Sequence, residues 1–116
     1  MIQIYTTPSC ASCRKAKKWF DQYKIPYSEK NIFSIKLSKE DIFKMLANSE
    51  NGFDDIISTR SKVFKEKQLE PDNMTIQELV DFIIENPSVL KRPIIINENE
   101  LQVGYNNEDI TIFLPK

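Results

Sequence analysis

Two cysteines, Cys10 and Cys13, are the residues of this sequence best suited to chemistry, and two residues separate them. The chain has no other cysteine and no histidine, so one chain cannot supply a zinc site made of four cysteines or of two cysteines and two histidines. We therefore predict neither a metal nor another cofactor. A structural disulfide closing so short a loop would constrain the unfolded chain very little. In a reducing cytosol such a pair is more often redox-active or half of a metal site, and its place after a strand, Pro8 and Ser9 favours a redox pair over two inert core cysteines.

Both thiols are predicted to lie at the start of a helix. Ser9 is a good N-cap residue, so we expect a helix with Cys10 in its first turn. Unpaired backbone N–H groups, the positive end of the helix dipole, and Arg14 and Lys17 on the same face would lower the pKa of Cys10 below its usual value of about 8.5. Cys13 lies toward the apolar stripe of the helix. We predict Cys10 as the exposed thiolate that meets an oxidant first, and Cys13 as the half-buried resolving thiol.

Local patterns predict the elements that must position the pair. Residues 2–6 form a strand, an amphipathic helix with an apolar stripe follows and ends before Pro26, and 27–32 form a second, parallel strand. The middle of the chain is helical. Two capping-box patterns open its clearest helices, Ser38 with Asp41 and Thr75 with Glu78, and Ile76 begins the apolar face of the second.

The C-terminal part predicts a hairpin of strands at 94–96 and 101–104, then a short helix at 107–113. The order β-α-β, helices, then β-β-α is the thioredoxin pattern with a helical insertion. We therefore predict an α/β fold with a thioredoxin-like mixed four-stranded sheet flanked by helices. One domain would span 1–116, with its sheet core at 1–34 and 91–116 and the helical insertion at 35–90.

Arg92-Pro93 precedes the predicted third strand. In thioredoxin-like folds a cis-proline before this strand packs beside the cysteine pair, so we expect a cis bond at Pro93. Arg92 would then lie close enough to Cys10 to stabilise a thiolate or sulfenate. The alternative role for Arg92 is that of a surface salt-bridge partner.

Composition excludes several classes of protein. The 116 residues carry 16 basic and 17 acidic side chains, which argues against a free-standing DNA-binding protein. No apolar run approaches the roughly 18–20 residues that span a bilayer, and residues 1–7 alternate in polarity, unlike a signal peptide. We expect a cytoplasmic protein with no membrane partner.

Segments along the whole chain resemble the Spx family, bacterial regulators related to arsenate reductases. They occur in the family's order and are TPSCASCRKA at 7–16, NIFS at 31–34, IISTRSKVF at 56–64, RPIII at 92–96, LQVGYN at 101–106 and FLP at 113–115. The resemblance implies a regulator that binds the C-terminal domain of the RNA polymerase α subunit and responds to thiol or oxidative stress. Promoter DNA would be contacted only as part of the polymerase complex, and no catalytic residue is implied.

The resemblance also implies roles for single residues. Cys10 and Cys13 match the redox switch, and Arg92 with Pro93 matches the arginine proposed to sense the cysteine state. Gly52 matches the glycine of the polymerase contact, for which an ordinary turn is the alternative role.

Three further positions and a partner follow from the same resemblance. Ala47 stands where better-known members carry an arginine near the polymerase, which predicts a weaker contact. Arg60 and Lys62 fall where the family approaches promoter DNA. A protease or adaptor system controlling turnover is a further implied partner; in the family it is tied to a C-terminal tail longer than the one ending here at Lys116.

Two enzyme functions are the alternatives. An arsenate-reductase-like oxidoreductase would share Cys10 and the arginines at Arg60 and Arg92, but no arginine follows Arg92, so its oxyanion site would be incomplete. Arsenate turnover with glutathione and glutaredoxin, abolished by Cys10→Ser, would favour this enzyme. A thioredoxin-like thiol reductase would reduce insulin disulfides catalytically, whereas a regulator would not.

Overall fold

A mixed four-stranded sheet organises the structure, a computed structural model that describes residues 2–58, 62–68 and 70–115. The strand order is β2-β1-β3-β4. Strand β1 pairs in parallel with β2 and antiparallel with β3, and β3 forms an antiparallel hairpin with β4. The predicted α/β fold class is thereby confirmed. The strands are β1 Ile2–Thr6, β2 Tyr27–Asn31, β3 Ile94–Ile96 and β4 Leu101–Val103.

Across the part of the chain that the structure describes, five α-helices and three short 3₁₀ helices flank the sheet. The helices α2 and α5 begin at the two predicted capping boxes, and each box makes both of its reciprocal hydrogen bonds. No helix within the described ranges is long and apolar enough to cross a membrane. The α-helices are α1 Ala11–Gln22, α2 Lys39–Ala47, α3 Phe53–Ile56, α4 Lys62–Glu66 and α5 Ile76–Glu85; the 3₁₀ helices are Pro71–Asn73, Pro87–Val89 and Asp109–Phe113.

The two faces of the sheet bury two separate apolar clusters. Because side chains alternate along a strand, Tyr5 faces one cluster and its neighbour Ile4 faces the other. The cluster around Tyr5 is closed by α2 to α5. The cluster around Ile4 is closed by α1, through Phe20, and by the last 3₁₀ helix, through Phe113. Helix α1 is therefore held firmly along its length, and its N-terminus follows directly on the loop after β1.

Three apolar residues are more exposed than their helical spacing suggested. Ile76, predicted to begin the buried face of α5, is 62% exposed, so that prediction was wrong. Ile76 is the first residue of α5, and only residues further along the helix, among them Leu79 and Ile83, belong to the buried cluster. Phe43 and Tyr23 are also exposed, although Tyr23 stacks against Trp19 with ring centroids 4.8 Å apart. The spacing of apolar residues identifies the apolar face of a helix, but it does not show which residues of that face are covered by neighbouring elements.

Candidate redox site

Cys10 and Cys13 are joined by a disulfide at the N-terminus of α1. Cys10 itself is the N-cap residue, and its Sγ accepts a hydrogen bond from the backbone N–H of Cys13 at 3.1 Å. The prediction of Ser9 as the N-cap was wrong, because Ser9 has φ 62° and forms the left-handed turn that leads from β1 into the helix. The sulfur of Cys10 thus takes the place of the hydroxyl oxygen of an ordinary cap.

The sulfur of Cys10 is more accessible than that of Cys13, which is the predicted order. Cys10 is half-buried, whereas Cys13 is only 2% exposed. In the reduced protein the N–H that bonds Cys10 Sγ would favour its charged form, as would the helix dipole, so we expect a lowered pKa for this thiol. Cys10 is therefore the sulfur that an oxidant or an external thiol can reach first.

One of the two cations predicted beside Cys10, Lys17, forms an ion pair with a carboxylate. Lys17 Nζ lies 3.0 Å from Glu29 Oε2, which also accepts a 2.8 Å hydrogen bond from the Thr6 hydroxyl. The hydrogen bond from Lys17 lowers the pKa of Glu29 below its ordinary value. Lys17, predicted with Arg14 to add positive charge beside Cys10, is therefore partly neutralised by this ion pair. Sequence reasoning missed Glu29; the parallel register of β1 and β2, which sets Glu29 opposite Ile4, is the signal that locates it.

A groove of about 540 Å³ opens beside Cys10 and is lined by Arg92. The Arg92-Pro93 bond is cis, as predicted, and Pro93 is buried. Arg92 is half-buried, with its Nη1 3.5 Å from the backbone oxygen of Ser88. In the described part of the chain no carboxylate forms a salt bridge with Arg92.

Two lysines and further hydroxyl groups line the same groove. Lys62, the first residue of α4, lies in it and is 3.7 Å from Glu66, with both side chains largely exposed. Lys91 and Ser58 also line the groove, and sequence reasoning singled out neither. Arg60, predicted with Lys62 as proximal to DNA, lies outside the described residues. The groove beside Cys10 is therefore lined by three cationic side chains.

Gly52 is the N-cap residue of α3 and has φ 63° and ψ −132°. A Cβ atom there would meet no heavy atom within 4 Å, so the position faces open space. The preceding loop is held by Asp55, whose Oδ2 accepts the backbone N–H groups of Glu50 at 2.9 Å and Asn51 at 2.8 Å. The backbone hydrogen bond from Asn51 lowers the pKa of Asp55. Ala47 is exposed at the last position of α2.

Short contacts join the Gly52 segment to the Arg92 segment. Ile57 and Leu90 form an isolated antiparallel bridge, and Lys91 Nζ donates to the backbone oxygen of Asp54 at 3.1 Å. Lys91 therefore contacts α3 while it also lines the groove beside Cys10. In the ranges that the structure describes, no cluster of His, Cys, Asp and Glu could hold a metal ion.

Comparison with known proteins links this site to one family. A model of the ArsC family matches residues 5–113. The global transcriptional regulators Spx of Listeria monocytogenes serovar 1/2a and of Bacillus subtilis strain 168 are each 50% identical over 116 residues, which is 100% of this chain and 88% of each regulator. Spx of Enterococcus faecalis is 47% identical over the same shares.

Solved structures show the same fold. An ArsC family related protein from Bacteroides fragilis superposes with a TM-score of 0.79 and 26% identity, over 93% of this chain and 92% of that one. An arsenate reductase from Vibrio cholerae superposes with a TM-score of 0.82 over 97% of each chain, but at 19% identity. At that identity the likeness concerns the fold alone.

Proposed function

We propose, from the premise that this chain belongs to the ArsC family and to the Spx regulators within it, that it is a redox-sensing transcriptional regulator that binds the C-terminal domain of the RNA polymerase α subunit. One observation carries the redox part: the Cys10–Cys13 disulfide at a helix N-terminus, in a chain 47–50% identical to such regulators over its full length. The polymerase part rests on the match of Gly52 to the family's contact glycine and on the open space in front of it.

The switch would close in two steps. The Cys10 thiolate attacks a peroxide, an S–O bond forms as the O–O bond breaks, and the leaving hydroxide takes a proton to become water. The Cys13 sulfur then displaces hydroxide from the sulfenic acid of Cys10, and the thiol proton of Cys13 leaves with it as a second water. Sulfur loses two electrons and the peroxide gains them. Arg92, in the groove beside Cys10, would stabilise the thiolate and the sulfenate.

The polymerase contact would form around Gly52. The missing side chain lets a partner approach the backbone closely, and the hydrogen bonds of Asp55 hold the loop ready for that approach. Ala47 offers no long side chain to the partner, so the contact would be weaker than in relatives with arginine there. Lys62 is exposed and would face promoter DNA only within the polymerase complex.

Co-purification with the isolated α C-terminal domain tests the proposal. We expect the tagged protein to retain the domain, and the retained amount to differ between oxidising and reducing buffers. Cys13→Ser, which prevents the disulfide, should remove that difference and serves as the control. Failure to retain the domain in either buffer would contradict the polymerase partner, and equal retention in both would contradict the switch.

A second candidate is an arsenate-reductase-like oxidoreductase. The fold shared with proteins named arsenate reductase and the three cations around Cys10 favour it. We expect no turnover of arsenate with glutathione and glutaredoxin, because no arginine follows Arg92 to complete an oxyanion site. Turnover that Cys10→Ser abolishes would instead support the enzyme.

A further inference from the structure

A second, smaller cavity of about 290 Å³ is lined by both cysteines. Its charged side chains are Arg14 and Lys17 from α1 and Glu29 from β2. Tyr27 lies two residues before Glu29 on the same strand, and burial, with the charges of Asp21 and Glu29, raises its pKa. The charged groups around the thiols are therefore Arg14, Lys17 and Glu29 in this cavity, and Lys62, Lys91 and Arg92 in the groove beside Cys10.

The carboxylate of Glu29 is fixed in place. Its Oε2 accepts from both the Thr6 hydroxyl at 2.8 Å and Lys17 Nζ at 3.0 Å, so β1 and α1 hold it from two sides. The side chains of Lys17 and Glu29 are 30% and 40% exposed, which leaves the pair partly shielded from solvent. While the pair is formed, the charges of Lys17 and Glu29 offset each other within the cavity, and Arg14 is its remaining charged side chain.

We propose that Glu29 is a positioning residue that restrains the reactivity of the cysteine switch, because it holds the Lys17 ammonium in an ion pair and thereby limits the population of reactive thiolate. The inference rests on the proposed redox switch, not on the polymerase partner. Only the thiolate attacks a peroxide, so the rate of disulfide formation near neutral pH follows the thiolate fraction of Cys10. A switch restrained in this way stays reduced until the oxidant concentration rises.

Charge-neutralising variants make the inference quantitative. With Glu29→Gln, the Lys17 charge is no longer compensated, and we expect the pH midpoint of the oxidation rate to fall by about one unit, with a rate up to about tenfold higher below the midpoint. With Lys17→Met, the uncompensated Glu29 carboxylate should raise the midpoint. The double variant should return close to the wild type, because both charges are then absent. The limiting rate at high pH should differ by no more than about threefold among the four proteins, because the nucleophilicity of a thiolate falls only weakly as its pKa falls.

The measurement is the rate of disulfide formation with hydrogen peroxide between pH 5 and 9, followed by mass after rapid alkylation. Glu108→Gln, an exposed change outside the cavity, is the matched control and should leave the midpoint unchanged. Far-ultraviolet circular dichroism confirms that each variant is folded.

Several outcomes decide the inference. Equal midpoints in all variants would overturn it, and so would a Glu29→Gln protein that is oxidised more slowly than the wild type below the midpoint, where the uncompensated Lys17 charge should raise the thiolate fraction. If the wild-type protein formed no disulfide with peroxide, the proposed redox switch itself would be contradicted. Shifted midpoints in a protein that does not bind the polymerase domain would support the inference while contradicting the proposed partner.

Discussion

At the scale of the single residue, Gly52 is the position with the narrowest choice of amino acid. Its φ of 63° combined with ψ of −132° is a backbone conformation that residues with a Cβ rarely adopt. The space in front of it is nevertheless empty. A substitution therefore has two separable costs: backbone strain, which any side chain brings, and obstruction of a partner, which only a long side chain brings.

Gly52→Arg should weaken binding of the α C-terminal domain by at least about tenfold, because a long charged side chain would enter the contact. Isothermal titration calorimetry of the variant and the wild type measures the change. Gly52→Ala is the matched control: it brings the same backbone strain with one methyl group, so it should lower stability but retain most of the binding. Unchanged binding by Gly52→Arg would contradict the assignment of this surface.

At the scale of the element, helix α5 shows that local sequence determines where a helix begins, whereas tertiary packing determines which of its residues are buried. Its capping box satisfies two backbone N–H groups at the N-terminus, and Leu79 and Ile83 then bury its apolar face. The capping box could be predicted from the sequence because Thr75 and Glu78 bond each other within one helical turn. The exposure of Ile76 could not be predicted from the sequence, because it depends on where the neighbouring helices and strands end.

Thr75→Ala should lower the free energy of unfolding by about 1 kcal/mol, because the N–H of Glu78 loses the acceptor that lies 3.1 Å away. Urea denaturation followed by circular dichroism measures this loss. Thr75→Ser keeps the hydroxyl and should remain within about 0.5 kcal/mol of the wild type. Equal losses in both variants would show that the threonine methyl group, not the cap, contributes the stability.

The difference between local signals and tertiary contacts also explains which parts of the redox site could be predicted from the sequence. Cys10 and Cys13 were predicted because a short motif defines them, and the cis bond at Pro93, next to Arg92, was predicted because the expected fold places a cis-proline before the third strand. Glu29 was missed, since its contact with Lys17 exists only once β2 has paired with β1 and α1 has packed on the sheet. Asp55 and Lys91 were missed for a similar reason, because each acts on backbone groups that the folded loops bring to it.

At the scale of the whole molecule, the charges set how stability depends on pH. Hydrogen bonds lower the pKa values of Glu29 and Asp55, so these carboxyl groups bind fewer protons in the folded state than in the unfolded chain. Their contribution is present above the unfolded pKa values of about 4 and is lost as the pH falls. Burial raises the pKa values of Tyr5 and Tyr27, so stability should also fall as the pH rises above about 10.

The oxidised protein should therefore have a nearly constant free energy of unfolding between about pH 5 and pH 9. The chain has no histidine, and cysteines in a disulfide do not titrate, so no side chain is expected to change its charge in this range. Urea unfolding at a series of pH values measures the profile. In the Glu29→Gln variant the decline below pH 5 should be shallower. A steep change near pH 7 in the oxidised protein would contradict this account.

The order of the strands has a consequence for how copies of this molecule behave toward one another. The open borders of the sheet are β2 and β4, which have only five and three residues. Short edge strands offer few backbone groups for pairing with another molecule. The charged residues Glu29 and Lys30 on β2 oppose such pairing further. A twofold pairing of two β2 strands centred on Glu29 would place identical carboxylates face to face. We therefore expect the folded protein to resist growth into filaments even at high concentration.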